Sequence, residues 1–191
     1  MGLDIYFFRT KRPAYNKYQK DLEDWMANEP EFLTEETEEE ESREKTYEEM
    51  TEEEHKRYSD WLSARPDWDE IAEECGYFRK VNFLLPYFGY GENCSDNEIS
   101  KGELENLVVA CNKVLTAYDK RDEEPEPDDE DDAEPWEDLA DCYLPTSSGF
   151  FFGSTDYDEW YISDVREAKE WAEKLLADLE DDDMVVMNCW W

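Results

Sequence analysis

Three carboxylates near the end of the chain have the types and spacing that could bind a divalent cation. Asp156, Asp158 and Glu159 lie close together in the sequence, and hard cations such as Mg²⁺ and Ca²⁺ prefer clustered carboxylate oxygens. In an extended segment the Asp-x-Asp spacing places Asp156 and Asp158 on one side of the backbone. Together with Asp4, this set would suit a metal-dependent hydrolase or transferase.

The same residues also fit a structural role, which we favour. Asp side chains that follow a strand commonly accept hydrogen bonds from nearby backbone N–H groups and form a turn. The segment also lacks the glycine that a calcium-binding EF-hand loop requires. We therefore expect no metal site at Asp156 or Asp158, and we keep the metal-dependent enzyme as an alternative.

The other side chains that commonly do chemistry form no second constellation. His55 is the single histidine, which argues against a histidine-based zinc site and against a Ser-His-Asp triad. The cysteines contain no Cys-x-x-Cys pair; they are Cys75, Cys94, Cys111, Cys142 and Cys189. The sequence therefore predicts a binding protein without a cofactor, and not an enzyme.

Two acidic stretches are the strongest signal in the chain. Residues 29–54 and 119–141 each hold fourteen Asp and Glu against two basic residues, so together they concentrate the formal charge of −36. Such a field attracts basic protein surfaces and repels nucleic acid, membranes and anionic metabolites. The carboxylates that we expect to bind a basic partner are Glu38, Glu39, Glu40, Glu41, Glu52, Glu53, Asp128, Asp129, Asp131 and Asp132.

These carboxylates could imitate DNA phosphates and occupy the basic groove of a nucleic-acid-binding protein. The alternative is a solvated surface that only keeps the protein soluble, which is the usual role of a charge run. An aromatic interface is a third alternative, because Trp and Tyr are favoured as interface anchors, and Trp160 and Tyr161 follow the Asp-x-Asp segment.

The composition predicts a folded domain despite the charge. The chain has 191 residues and 29 aromatic side chains, eight of them Trp, which is far more than a disordered acidic segment carries. The length fits a single domain over residues 1–191, with acidic insertions at about 29–60 and 119–141. No apolar run approaches the ~20 residues that span a bilayer, and no signal-peptide pattern is present, so we expect a cytoplasmic protein.

Short apolar segments at both ends of the chain predict strands. Leu3–Phe8 and Val185–Trp190 are rich in β-branched and aromatic residues. Because helical patterns lie between them, we predict an α+β fold whose terminal strands share one sheet packed against the helices. A further strand is predicted at residues 148–154, which include two glycines.

Capping signals and a 3.6-residue apolar period predict the helices. Ser100-x-x-Glu103 and Thr51-x-x-Glu54 fit capping boxes at the start of two of them. Ser163 is the expected N-cap of the last helix. The predicted helices cover residues 21–26, 51–63, 67–76, 77–88, 103–118 and 164–179.

Four segments carry a resemblance to a known family. They are the opening Met1-Gly-Leu-Asp-Ile-Tyr, the motif Arg79-Lys80-Val81-Asn82, the stretch from Leu144 to Tyr161, and the closing strand that ends in Trp. Together they resemble a family of phage and prophage proteins that begin MGLDMY. The resemblance implies a mobile-element origin and a shared fold, and it implies no reaction.

One departure from the family bears on the Arg-Lys-x-Asn motif. Family members usually carry a histidine soon after this motif, where the present chain has Leu84-Leu85-Pro86. We therefore interpret the motif as architectural.

These observations lead to one expected function and two alternatives. We expect a phage or prophage protein that binds and inhibits a basic, nucleic-acid-binding protein in the cytoplasm of its bacterial host. A defence nuclease or a CRISPR effector would be a natural target for such an anti-CRISPR or nuclease inhibitor. The alternatives are a hydrolase or transferase using Asp4, Asp156, Asp158 and Glu159, and a phage accessory protein with a purely structural role. The oligomeric state, including a homo-oligomer, stays open.

Overall fold

The structure is a computed structural model that describes residues 2–36, 42–89, 97–121 and 135–191. The chain divides into two compact units. The larger unit contains Met1–Thr10 and Glu73–Trp191, and the smaller unit contains Lys11–Ala72. The smaller unit is therefore an insertion between two strands of the larger one, and it is longer than the acidic insertion expected from the sequence.

A four-stranded antiparallel sheet forms the frame of the larger unit. Its strands are β1 (Asp4–Lys11), β4 (Ala72–Arg79), β5 (Asn97–Ile99) and β6 (Asp183–Trp190), in the order β4-β1-β6-β5. The chain's first and last strands are thus neighbours in one sheet, which confirms the predicted α+β fold. The predicted terminal strands fall within β1 and β6, apart from Leu3, which directly precedes β1.

Four helices lie in the described part of the larger unit: α3 (Leu84–Phe88), α4 (Lys101–Asp119), α5 (Pro135–Tyr143) and α6 (Glu159–Asp178). The capping box at the start of α4 is present, because Ser100 Oγ accepts from the Glu103 N–H and the Glu103 carboxylate accepts from the Ser100 N–H. The inner side of α4 buries an apolar stripe made of Leu104, Leu107, Ala110, Cys111, Val114 and Tyr118. This confirms the helix expected at residues 103–118.

The described part of the smaller unit contains two α-helices and an antiparallel pair of strands. Helix α1 (Arg12–Ala27) precedes the antiparallel pair β2 (Thr34–Glu36) and β3 (Ser42–Glu44), and α2 (Glu52–Ser63) follows. The α2 capping box is present, and the Thr51 backbone N–H and the Lys45 ammonium lower the pKa of Glu54 to about 2. This confirms the predicted helix at residues 51–63.

Two tryptophans join α1 to α2. The rings of Trp25 and Trp61 stack with centroids 4.2 Å apart and planes 10° apart. Each indole N–H donates to the backbone carbonyl of the other tryptophan, at 2.7 Å and 3.1 Å. The pair satisfies both partly buried indole donors while it packs the helices together.

The predicted helix over residues 77–88 is wrong. Residues Ala72–Arg79 form β4, Lys80 takes a positive φ of 63° that ends the strand, and the short helix α3 begins at Leu84. Apolar residues from a strand and from a separate helix had produced an apparent helical spacing. The helix expected from residue 67 is also absent, because residues 67–71 form turns before β4.

Two further predictions, the strand at residues 148–154 and the N-cap at Ser163, are wrong. Residues 148–154 form a loop with a turn, in which the Phe152 N–H donates to the Gly149 carbonyl, and not a strand. Helix α6 begins at Glu159 with Asp158 as its N-cap, so Ser163 lies inside the helix. The helix expected at residues 21–26 is longer than predicted and begins at Arg12.

No helix within the described residues is long and apolar enough to cross a membrane.

One close approach fixes α6 against the sheet. A Cβ atom at Gly76 of β4 would lie 2.3 Å from Nε1 of Trp171, a distance at which the indole must move. The Trp171 ring also packs on Phe7 of β1 and Phe78 of β4, with centroids 4.3 Å and 5.3 Å away. Position 76 therefore requires glycine because any side chain there would collide with the Trp171 indole, and not because the backbone needs the conformational freedom of glycine.

We expect Gly76→Ala to lower the free energy of unfolding by about 1–3 kcal/mol, because the added methyl overpacks the Trp171 contact. Gly102→Ala is the matched control. A Cβ there meets nothing closer than Ser100 Oγ at 4.0 Å, so this change should stabilise α4 by up to about 1 kcal/mol. Urea unfolding of both variants measures the effects, and equal effects would contradict the close approach.

Candidate partner-binding surfaces

The structure describes four of the residues expected to bind a partner. Glu52 and Glu53 are exposed in the first turn of α2. The positive end of the helix dipole stabilises their negative charge at this position. The other eight carboxylates lie outside the described residues: Glu38, Glu39, Glu40, Glu41, Asp128, Asp129, Asp131 and Asp132.

The two predicted aromatic anchors differ in exposure. Trp160 is 79% exposed, whereas Tyr161 is 5% exposed. The Tyr161 hydroxyl donates to the Leu144 carbonyl at 2.9 Å, and the ring packs edge-on against Phe83 and Tyr157. Tyr161 is therefore a core residue, and the prediction that it forms an interface is corrected. Tyr161 lies on the face of α6 that is buried against the core.

The carboxylates of the alternative metal site each have a structural partner. Asp158 accepts from the backbone N–H groups of Trp160 and Tyr161, and Asp156 accepts from the Ser154 hydroxyl. Glu159 accepts from the Tyr118 hydroxyl, and Asp4 accepts from the Tyr77 hydroxyl. The turn role that we favoured accounts for the local contacts of Asp156 and Asp158. Glu159 and Asp4 instead bond to tyrosines that are distant in the sequence.

A different acidic group lies before β6. In the part of the chain that the structure describes, ligand atoms of Glu180, Asp182 and Asp183 lie within 4.8 Å of one another. The Asp183 carboxylate is engaged, because it pairs with Arg9 and accepts from the Glu180 N–H. It joins β1 to β6, so we assign this group to the fold.

A cleft that the sequence did not reveal lies between β4 and α6. Its volume is about 510 Å³. The carboxylates at the cleft are Glu73 and Glu74 from β4 and Glu167, Glu170 and Asp178 from α6, whereas the cations are Arg9 and Lys174. We call it the acidic cleft.

The floor of the acidic cleft is held in place. Trp171 lines it, and its indole N–H donates to the Cys75 carbonyl at 2.7 Å. Burial raises the pKa of the Cys75 thiol to about 11, so the thiol is neutral near pH 7 and is a poor nucleophile. The cleft thus combines a fixed aromatic floor with an acidic rim, which suits binding a cation better than covalent chemistry.

The rim carboxylates are available to a partner. Glu73, Glu74, Glu167 and Glu170 are exposed, and they make no hydrogen bond or ion pair with any residue of the described ranges. Arg9 is already engaged, because it donates to the Asp178 carbonyl at 2.8 Å and pairs with Asp183. Lys174 is the remaining cation that lines the cleft.

A second exposed feature is the loop over residues 147–154, which we call the aromatic loop. Phe150 at its tip is 95% exposed. The Asn82 side chain is buried beneath the loop, where it donates to the Ser154 and Phe152 carbonyls at 2.8 Å and 3.4 Å and accepts from the Ser147 N–H at 3.4 Å. Asn82 of the Arg-Lys-x-Asn motif therefore holds the aromatic loop, which belongs to the stretch from Leu144 to Tyr161.

Comparisons with protein-family models, with curated proteins and with solved structures found no match to this chain. The resemblance to the phage and prophage family stays a prediction.

We expect Asn82→Ala to lower the free energy of unfolding by about 2 kcal/mol, because it leaves a buried N–H and two carbonyls without their partner. Hydrogen exchange at the Ser147 amide should also accelerate. Asn112→Ala is the control, since that residue is exposed on α4 and its truncation should change stability by less than about 0.5 kcal/mol. Equal effects would show that Asn82 does not hold the loop.

Burial, with the Glu167 and Asp158 carboxylates nearby, raises the pKa of Asp164 to about 6. The folded state then holds this proton more tightly than the unfolded state, so its contribution to stability declines as pH rises from about 4 to about 6. We expect Asp164→Asn to be more stable than the parent at pH 7.5 by about 1 kcal/mol, a value discounted for partial exposure.

The gain from Asp164→Asn should shrink as the pH falls from about 6 to about 4, and it should vanish below about pH 3, where the parent is protonated in both the folded and the unfolded state. Thermal unfolding of both proteins across this range checks the prediction. The exposed Glu105→Gln serves as the control. A gain from Asp164→Asn that persists unchanged at pH 4 would contradict the prediction.

Proposed function

We propose that this protein binds a basic protein and blocks its nucleic-acid-binding surface, acting as an inhibitor and not as an enzyme. The observation that carries the proposal is the acidic cleft, which Trp171 lines together with four exposed carboxylates that have no hydrogen-bond or ion-pair partner among the described residues. The acidic stretches extend the same chemistry along the chain.

The geometry suits a lysine or arginine side chain of the partner. Such side chains have an apolar stem that packs on an aromatic ring and a cationic head that pairs with carboxylates. Because Trp171 is already fixed by Cys75, Phe7 and Phe78, little conformational entropy is lost when a partner binds there.

The net charge of the protein would speed its association with a basic partner and make binding selective for such a partner. A formal charge of −36 attracts a basic partner over a distance and repels nucleic acid, the ligand with which the protein would compete. The phage resemblance suggests a CRISPR effector or a defence nuclease as the host target, by analogy. Exposed Trp160 and Phe150 would add apolar contacts to such an interface.

The test uses an arginine-rich peptide as a probe and isothermal titration calorimetry at two salt concentrations. The cleft variant replaces Glu73, Glu74, Glu167 and Glu170 by Gln. The control variant changes the net charge equally at exposed sites outside the cleft lining: Glu23, Asp24, Glu48 and Glu105. Far-ultraviolet circular dichroism verifies that both variants fold.

We expect the cleft variant to bind about tenfold more weakly than the control variant, since four exposed ion pairs contribute about 0.3–0.5 kcal/mol each. Parent binding should weaken steeply with salt. Equal affinities in the two variants would reject the cleft as the site and leave general charge as the cause. Salt-independent binding in the parent would reject the electrostatic account.

The inhibitory step has its own test, which captures host proteins from a bacterial lysate at low and high salt. We expect a captured nucleic-acid-binding protein to bind less of a labelled DNA or RNA oligonucleotide as the parent protein is added. The Glu38–Glu41→Gln and Asp128, Asp129, Asp131, Asp132→Asn variants should compete less well. A ternary complex with undiminished oligonucleotide binding would refute inhibition by mimicry.

A further inference from the structure

A groove between α4 and α5 has the opposite character to the acidic cleft. Its volume is about 440 Å³, and the residues that line it are Val109, Asn112, Lys113, Thr116, Ala117 and Lys120 of α4 and Leu139 of α5. Among the described residues that line it, the charged ones are lysines and none is a carboxylate. We call it the lysine groove.

The floor of the lysine groove is apolar. Val109 is 53% exposed on the outer side of α4, and Leu139 faces the same groove. The Thr116 hydroxyl donates to the Asn112 carbonyl at 2.6 Å. This hydroxyl donor is therefore already satisfied within α4. A partner with apolar side chains would remove this surface from water.

Lys113 and Lys120 give the groove a positive charge, which favours a negatively charged occupant. The Lys120 ammonium makes no hydrogen bond or ion pair with another residue of the described ranges. The Lys113 ammonium donates to the Tyr143 hydroxyl at 2.8 Å and lies 4.0 Å from the centre of its ring. In a chain with 55 acidic and 19 basic residues, a groove whose charged lining residues in the described ranges are lysines selects an acidic occupant.

The shape of the groove indicates a helix as the occupant. Its lining residues on α4 run from Val109 to Lys120, which is about three helical turns or roughly 16 Å at 1.5 Å per residue. An open groove along two packed helices is the geometry in which an amphipathic helix lays its apolar face. Enclosed pockets, by contrast, suit small ligands.

We infer that the lysine groove is a docking site for an acidic amphipathic helix of a partner protein. Apolar side chains of that helix would cover Val109 and Leu139, and its flanking carboxylates would pair with Lys113 and Lys120. This site is separate in chemistry from the acidic cleft, so it does not depend on the proposed function.

Three fluorescein-labelled peptides serve as probes. The first is an acidic amphipathic helix with Leu at helical spacing and Glu between, the second has Lys in place of Glu, and the third is a scrambled version of the first. Fluorescence anisotropy measures their binding to the full chain. The variants are Val109→Asp, Lys120→Glu and, as a control at another exposed apolar position, Leu62→Asp.

We expect the acidic helix to bind more tightly than its scrambled version, although the net charge of the protein repels both. Val109→Asp should weaken its binding about tenfold, Lys120→Glu should weaken it about threefold, and Leu62→Asp should leave it unchanged. Binding of the Lys peptide should be the same in the parent and in Val109→Asp. Thermal unfolding confirms that each variant is folded.

Equal binding of the acidic and scrambled peptides would overturn the inference, and so would equal effects of Val109→Asp and Leu62→Asp. Analytical ultracentrifugation of the protein alone measures its oligomeric state and so tests whether a second copy of the chain occupies the groove. A parent dimer that Val109→Asp converts to a monomer would show that a second copy fills the groove, and would also overturn the docking of a foreign helix.

Discussion

The placement of α6 over the sheet depends on one contact, between the Trp171 indole and the backbone of β4 at Cys75 and Gly76. The indole hydrogen-bonds the Cys75 carbonyl, and the missing side chain at Gly76 lets the ring approach the strand. This contact also fixes the distance between the β4 and α6 carboxylates. The acidic cleft is therefore a consequence of how the core packs.

The protein keeps its large charge away from the core. The buried polar residues of the described ranges are Thr10, Asn82 and Ser147, all of them neutral. The exception is the Asp183 carboxylate, whose side chain is 1% exposed, and it is neutralised by Arg9. Because the exposed carboxylates of the described ranges lie near water, where the dielectric constant is high, their mutual repulsion costs far less than it would inside the core.

Strong local signals made parts of the fold predictable. Helices α2 and α4 carry capping boxes at Thr51 and Ser100, and these signals act within one turn of the chain. Strand β4 was missed because Phe78 lies at helical spacing from the buried residues of α3, and periodicity cannot separate two short buried elements. The cleft was missed because Glu73 and Glu170 meet only through the packing of α6 on β4.

The Trp25 and Trp61 pair has a spectroscopic consequence. Two indoles that stack at 4.2 Å with nearly parallel planes couple their electronic transitions, which gives a circular dichroism signal that isolated tryptophans lack. This signal reports on the smaller unit alone, whereas the far-ultraviolet backbone signal comes from the helices of both units. One instrument can then show whether the two units melt at the same temperature, which is the coincidence that a two-state transition requires.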